Sequence, residues 1–172
     1  MNTVLFKTVH GSHLYGLAHA NSDEDWYTVV APVKRKKYKY ATQTIVGDQD
    51  TMTVDLGTWL RLCDKGVPQA LEAMFSRMPV HDELTQLRRS YRVGSTAMRD
   101  TYYRTMENFV KAGDFKRKKH ALRLYLNLKT AMKYGTFNPT LTQRERWWLE
   151  QVATRFDDEA VLRLVLSNRF DK

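Results

Sequence analysis

The sequence predicts an α+β protein, in which a small mixed β-sheet of about four strands with flanking helices precedes a helical C-terminal half. Three observations predict this. Short runs of strand formers, Val4–Val9, Asp23–Ala31 and Thr51–Asp55, fall in the first third of the chain. Glycine and proline punctuate residues 1–80 and thin out from about Asp82. Beyond that point apolar residues recur at helical spacing. The expected division is a core over 1–80 and a helical region over 81–172 closing one side of a cleft, the two forming one compact unit within the 172 residues.

The elements follow in order. Val4–Val9 reads as a buried strand that Gly11 breaks, and Ser12 is a suitable N-cap for a short helix through Leu17. On the strand from Asp23 to Ala31, Asp23, Asp25, Tyr27 and Val29 share one face, and Glu24, Trp26, Thr28 and Val30 the other. Pro32 ends it. Lys34-Arg35-Lys36-Lys37-Tyr38-Lys39-Tyr40 interleaves cations with tyrosines. Such a run reads either as a phosphate-backbone contact with aromatic stacking or as a solvated hairpin whose lysines blunt a sheet edge. Asp48-Gln49-Asp50 reads as a turn, and Thr51–Asp55 as a strand with Met52 and Val54 on its apolar face.

Leu56–Lys65 and Pro68–Ser76 read as two short helices broken at Gly66, with Pro68 in the first turn of the second. His81-Asp82-Glu83-Leu84 suits a helix N-terminus. Ser95–Lys111 and Phe115–Tyr134 follow as long amphipathic helices ending at Gly113 and Gly135. Lys116-Arg117-Lys118-Lys119-His120 places cations where they oppose the helix dipole, so either a bound phosphate favours them or they form a solvated face. Thr142 and Glu145 form a capping box. Trp147 and Trp148 read as core or interface residues, and Asp157 or Asp158 opens the last helix.

Composition bounds the function. Hydrophobic residues make up 42% of the chain, enough for a core, and no apolar run reaches the ~20 residues of a membrane span. The N-terminus lacks a secretory layout, which gives cytoplasmic localisation as the expectation and no membrane partner. Cys63 stands alone, and the five histidines are scattered, so neither a disulfide framework nor a zinc cluster is expected. The net charge of +9 points to a polyanionic partner, most simply nucleic acid.

Within this frame one stretch concentrates chemistry. Gly11-Ser12 offers backbone N–H groups and a hydroxyl to phosphate oxygens. Asp23 and Asp25, at i and i+2, offer hard oxygen ligands to a divalent cation from one strand face. Together they point to phosphoryl or nucleotidyl transfer.

The ordered pattern Gly11-Ser12, Tyr15-Gly16, Ser22-Asp23-x-Asp25 resembles the DNA polymerase β-like nucleotidyltransferase superfamily, in its branch of small bacterial and phage nucleotidyltransferases of the RNA-repair type. Lys65-Gly66-Val67-Pro68-Gln69-Ala70-Leu71-Glu72 resembles that branch's G-N-P-x-x-L-E segment, with Val67 where Asn is usual. Lys119, His120 and Arg123 resemble its K-H-x-x-R segment.

The resemblance implies the minimal nucleotidyltransferase core. It also implies two Mg²⁺ (or Mn²⁺) ions held by Asp23, Asp25 and a third carboxylate from a neighbouring strand. Parity favours Asp55 for that third position, because it projects with Thr51 and Thr53, and Asp50 is the competitor. Gly11, Ser12, Lys119, His120 and Arg123 are then the nucleotide-binding candidates. Lys34, Arg35, Lys36, Lys37 and Lys39 are the nucleic-acid candidates. The expected reaction moves a nucleoside monophosphate from an NTP to a hydroxyl, with RNA as the favoured acceptor. Transfer of AMP to a protein, or a non-catalytic relative that binds RNA or nucleotide, are the alternatives.

Overall fold

A computed structural model describes residues 2–32, 41–167 and 169. Its described residues form a five-stranded mixed sheet in the order β3-β4-β2-β1-β5, with eight helices. The strands are β1 (Val4–His10), β2 (Glu24–Val30), β3 (Ala41–Val46), β4 (Gln49–Asp55) and β5 (Pro79–Asp82). The helices are α1 (Gly11–Tyr15), α2 (Leu56–Asp64), α3 (Pro68–Phe75), α4 (Thr85–Ser90), α5 (Ser95–Lys111), α6 (Phe115–Tyr134), α7 (Gln143–Arg155) and α8 (Asp158–Leu166).

The sheet registers position the chemistry. β1 runs antiparallel to β2, with His10 opposite Asp25. β2 and β4 run parallel, with Asp25 beside Asp50 and Val30 beside Asp55. Paired residues on neighbouring strands project to the same side, so His10, Asp25 and Asp50 share one end and one face of the sheet. The apolar residues of those strands, Phe6, Tyr27, Val29 and Val54, are buried and continue into the core. Phe6 stacks on Trp59 of α2 at 5.4 Å. The same cluster runs on through Leu71 and Met74, then Met98, Tyr102 and Met106, to Leu122, Leu149 and Val165. At the turn between α2 and α3, a methyl group on Gly66 would come within 2.5 Å of the Met98 Cα, so this turn packs directly on α5.

Several local expectations change. The β3–β4 turn sits at Gly47-Asp48, where Gly47 takes a φ of 59°. Asp50 therefore lies inside a strand that starts at Gln49, not in a turn. Strands β3 and β5 extend the sheet on its two sides. Of His81-Asp82-Glu83-Leu84, which suits a helix N-terminus in the sequence, His81 and Asp82 end the short strand β5 paired with β1, and α4 starts only at Thr85. There the Asp82 carboxylate accepts from the Leu84 N–H at 3.0 Å and from the Arg88 guanidinium. Helix α1 begins two residues early, with His10 at its N-cap position in place of Ser12, and stops at Gly16, whose φ is 74°.

In the helical half the expected Thr142–Glu145 box forms in both directions and Asp157 caps α8; Asp114, not singled out from the sequence, caps α6 by accepting from the Arg117 N–H at 2.7 Å. Trp148 stacks on Tyr125 at 6.5 Å, whereas Trp147 is 63% exposed and no part of the core. No helix among the described residues is long and apolar enough to cross a membrane.

Candidate active site

A cavity of about 750 Å³ opens where the ends of β1, β2 and β4 meet α1 and the start of α6. His10, Gly11 and Ser12 line it from the β1–α1 junction, Asp23 and Asp25 from β2 and its entry loop, and Asp50 from β4. Phe115, Lys116, Lys119 and His120 line it from α6. Gly11, Ser12, Asp23, Asp25, Lys119 and His120, distant in sequence, thus face a common space.

The acids occupy distinct settings. A methyl group on Gly11 would fall 1.8 Å from Asp25 Oδ2, so only glycine, with its φ of 60°, lets the β1–α1 backbone lie against this carboxylate. The Asp25 carboxyl is held above its ordinary pKa, first by burial, then by the negative charges of Asp50 and Asp23 working against His10. Asp50 Oδ2 accepts from Gln43 Nε2 at 2.6 Å, and its Oδ1 is buried without a hydrogen-bond partner. Asp23 is exposed, one residue before β2 begins. Glu24 turns elsewhere, accepting from Gln49 Nε2 at 2.9 Å.

Asp55 is not in this group. It stands at the opposite end of β4, five residues or about 16 Å from Asp50 at ordinary strand rise. There it caps α2, with Oδ1 accepting from the Thr58 N–H at 2.9 Å and Oδ2 from the Thr58 hydroxyl at 2.7 Å. The carboxylate that parity selected does structural work, and Asp50 is the acid that the parallel register sets beside Asp25.

The donor chemistry here suits a hard divalent cation. Three carboxylates line one cavity, an Asp50 oxygen is buried and unpartnered, and the ionised form of Asp25 is disfavoured first by burial and then by its acidic neighbours. Among the described residues no group of three or more His, Cys, Asp or Glu side chains is drawn together closely enough to enclose an ion as it stands.

On the opposite wall, Lys119 Nζ lies 3.2 Å from Glu150 Oε2 and 4.9 Å from the centre of the Phe115 ring. His120 meets the Tyr15 ring edge-on at 6.2 Å and Phe109 at 5.9 Å. Burial, then the Arg123 charge, lowers its pKa to about 4, so its imidazole is neutral near pH 7. Arg123 does not line the cavity. It is buried one turn further along α6, bonded to Glu72 and stacked over the Tyr15 ring at 3.5 Å. The basic run Lys34, Arg35, Lys36, Lys37 and Lys39 lies outside the described residues.

The structure gives a setting to Glu72, the acid that ends the segment resembling G-N-P-x-x-L-E. Glu72 is 1% exposed, and three elements converge on it. Its Oε2 accepts from Tyr15 Oη at 2.7 Å and lies 3.5 Å from His10 Nε2, while Oε1 accepts from Arg123. The legible signal was an acid inside the apolar run Ala70-Leu71-Glu72-Ala73-Met74-Phe75, matched by a cation inside Leu122-Arg123-Leu124. Buried charges in such settings come in pairs.

The sequence pattern of the RNA repair pathway DNA polymerase beta family (RlaP) matches residues 2–158. No curated protein matches the chain. Among solved structures, a nucleotidyltransferase-like protein from Exiguobacterium sibiricum 255-15 is similar at 10% identity, over 97% of this chain and 67% of that one, with a TM-score of 0.38. A likeness that loose carries no argument about the site.

Proposed function

From the premise that the chain belongs to the RNA repair pathway DNA polymerase beta family, we propose that it transfers a nucleoside monophosphate from an NTP to a hydroxyl of RNA. Nucleotidyl transfer in general is the chemistry of that family. The observation that carries the finer reading is the cavity itself, which opposes a glycine-serine turn and three acids to a pair of lysines.

Gly11 and Ser12 have the donors for the β- and γ-phosphate oxygens, in N–H groups and a hydroxyl. Lys116 and Lys119 offset the charge of the departing pyrophosphate from the other wall. The acceptor oxygen attacks the α-phosphorus in line; the new P–O bond forms as the bond to the bridging oxygen breaks. Asp23, Asp25 and Asp50 would hold Mg²⁺ or Mn²⁺, which when bound activates the acceptor hydroxyl and stabilises the leaving group. Neutral His120 and the Phe115 ring border the lysines on this wall. The +9 charge favours a polyanionic acceptor over a small molecule.

The test is incubation with each labelled NTP, Mg²⁺ or Mn²⁺, and RNA carrying either a free or a blocked 3′ hydroxyl. Label is expected in the free-ended RNA and not in the blocked one. Label confined to added protein would replace RNA with a protein acceptor. Label in neither, from all four nucleotides, refutes the transfer reading.

A further inference from the structure

We infer that Glu72, which touches no substrate, is the positioning residue that holds the three walls of the nucleotide cavity in register. The inference rests on the transfer reading above.

One buried carboxylate on α3 meets a residue from each wall. Tyr15 comes from α1, three residues after Ser12, and donates its hydroxyl at 2.7 Å. His10 comes from the end of β1, opposite Asp25 in the ladder and next to Gly11, with Nε2 at 3.5 Å. Arg123 comes from α6, one turn after Lys119, and binds the second oxygen. The Arg123 guanidinium also covers the Tyr15 ring at 3.5 Å, and His120 meets that ring's edge, so α1 and α6 are joined twice. Nothing in this group reaches the cavity except His10, Tyr15 and His120, which line its inner surface.

A purely stabilising role is a poor account of this arrangement. A buried ion pair gains little over apolar residues of the same volume, because desolvation consumes much of the attraction. What it does provide is direction: Tyr15 and Arg123 are each held at one position by hydrogen-bond geometry, and His10 packs beside the same carboxylate at 3.5 Å. Here the partners adjoin the phosphate turn, the Asp25 strand pair and the lysine-bearing helix. An error of about 1 Å among such groups costs on the order of 10²-fold in rate.

Two variants test this. Tyr15→Phe removes one hydroxyl tie and leaves the Glu72–Arg123 pair intact. The double variant Glu72→Met/Arg123→Met removes all three contacts without leaving an unpaired buried charge. Binding of NTP and of the matching nucleoside is measured by calorimetry, alongside thermal midpoint and turnover. Tyr15→Phe is expected to weaken NTP binding about fivefold, the effect of about one hydrogen bond, with nucleoside binding nearly unchanged and the thermal midpoint lowered by a few degrees, because a buried Glu72 oxygen loses its donor. The double variant is expected to lose about 10²-fold in turnover and more NTP than nucleoside affinity. Wild-type NTP affinity in both variants, or an equal loss of NTP and nucleoside affinity, overturns the positioning role. Should the double variant not fold, Tyr15→Phe alone decides between those outcomes. Absence of NTP binding by the wild-type chain overturns the transfer reading instead, and this inference with it.

Discussion

Strands β2 and β4 lie side by side and carry the same alternation, Asp25-x-Tyr27-x-Val29 and Asp50-x-Met52-x-Val54. In each, the acid is at the cavity end and the apolar residues run from it toward the core. The two ends of β4 differ just as instructively. Asp50 faces the cavity with one oxygen unpartnered, while both Asp55 oxygens accept hydrogen bonds from Thr58 at the start of α2. Parity states which face a side chain takes. Only strand direction states which end it occupies. A parallel β2–β4 pair brings like ends together, and Asp50 rather than Asp55 arrives beside Asp25.

The largest expected effect tests the shared cavity end. Asp25→Asn and Asp50→Asn should each lower nucleotidyl transfer by about 10³-fold or more, read as label incorporated per minute. Asp25→Asn should at the same time raise the thermal midpoint at neutral pH. The sign follows from the raised Asp25 pKa: the folded state holds the proton more tightly than the unfolded one. That contribution to stability is present below the unfolded value and is lost as pH rises through the folded one, so at pH 7 the ionised carboxylate opposes folding. Asparagine removes the charge. An unchanged or lower midpoint would contradict the crowding of acids described here.

The far end of β4 should behave in the opposite way. Asp55→Ala removes the α2 cap and should cost about 1–2 kcal/mol, or roughly 2–8 °C in melting temperature for a chain of this size. Transfer below the melting range should stay within about threefold of wild type. A 10³-fold loss of transfer in Asp55→Ala, with Asp50→Asn active, would return the third carboxylate to Asp55.

Much of this was legible in the sequence, and the rest was hidden for identifiable reasons. The Gly11-Ser12 turn, the Asp23/Asp25 pair and the Lys116–His120 helix start are local signals, and the fold brings them to one cavity. Strand β3 is exposed along its whole length, so it lacks the buried alternation that marks a strand. Strand β5 is four residues long, and its pairing with β1 is a contact across more than 70 positions. The signal for Asp50 is the repeated Asp-x-apolar-x-Val pattern shared by β2 and β4, against which the polar face of Thr51, Thr53 and Asp55 competes. The K-H-x-x-R resemblance groups Arg123 with Lys119 and His120 as a nucleotide-binding candidate, but of the three it alone does not line the cavity. One further turn carries it under the floor, where Glu72 takes its charge.

A smaller effect is expected on the lysine wall. Lys119 reaches the cavity while bonded to Glu150, so a triphosphate must compete with that carboxylate. Lys119→Ala should raise the KM for NTP about tenfold, the loss of one charge-assisted contact. Glu150→Gln should lower it, by no more than about threefold, because an exposed pair contributes little. Opposite signs in the two variants are the signature; a KM increase in both would show Glu150 supporting Lys119 rather than competing for it.

The smallest expected effect separates the helix wall from the acid wall by pH. The His120 pKa is depressed to about 4, chiefly by burial and then by Arg123. The folded state therefore binds a proton less readily than the unfolded one. His120 contributes stability that is full above about pH 6.5 and is lost as pH falls toward 4, the reverse of Asp25, whose proton favours folding in acid. Melting temperature followed from pH 7 to pH 4.5 should fall by a few degrees more in the wild type than in His120→Asn, where no imidazole is left to charge. In Asp25→Asn the same descent should be steeper than in the wild type, because the compensating carboxylate proton is gone. Parallel curves for all three proteins would mean that neither group titrates in the folded state as its burial requires.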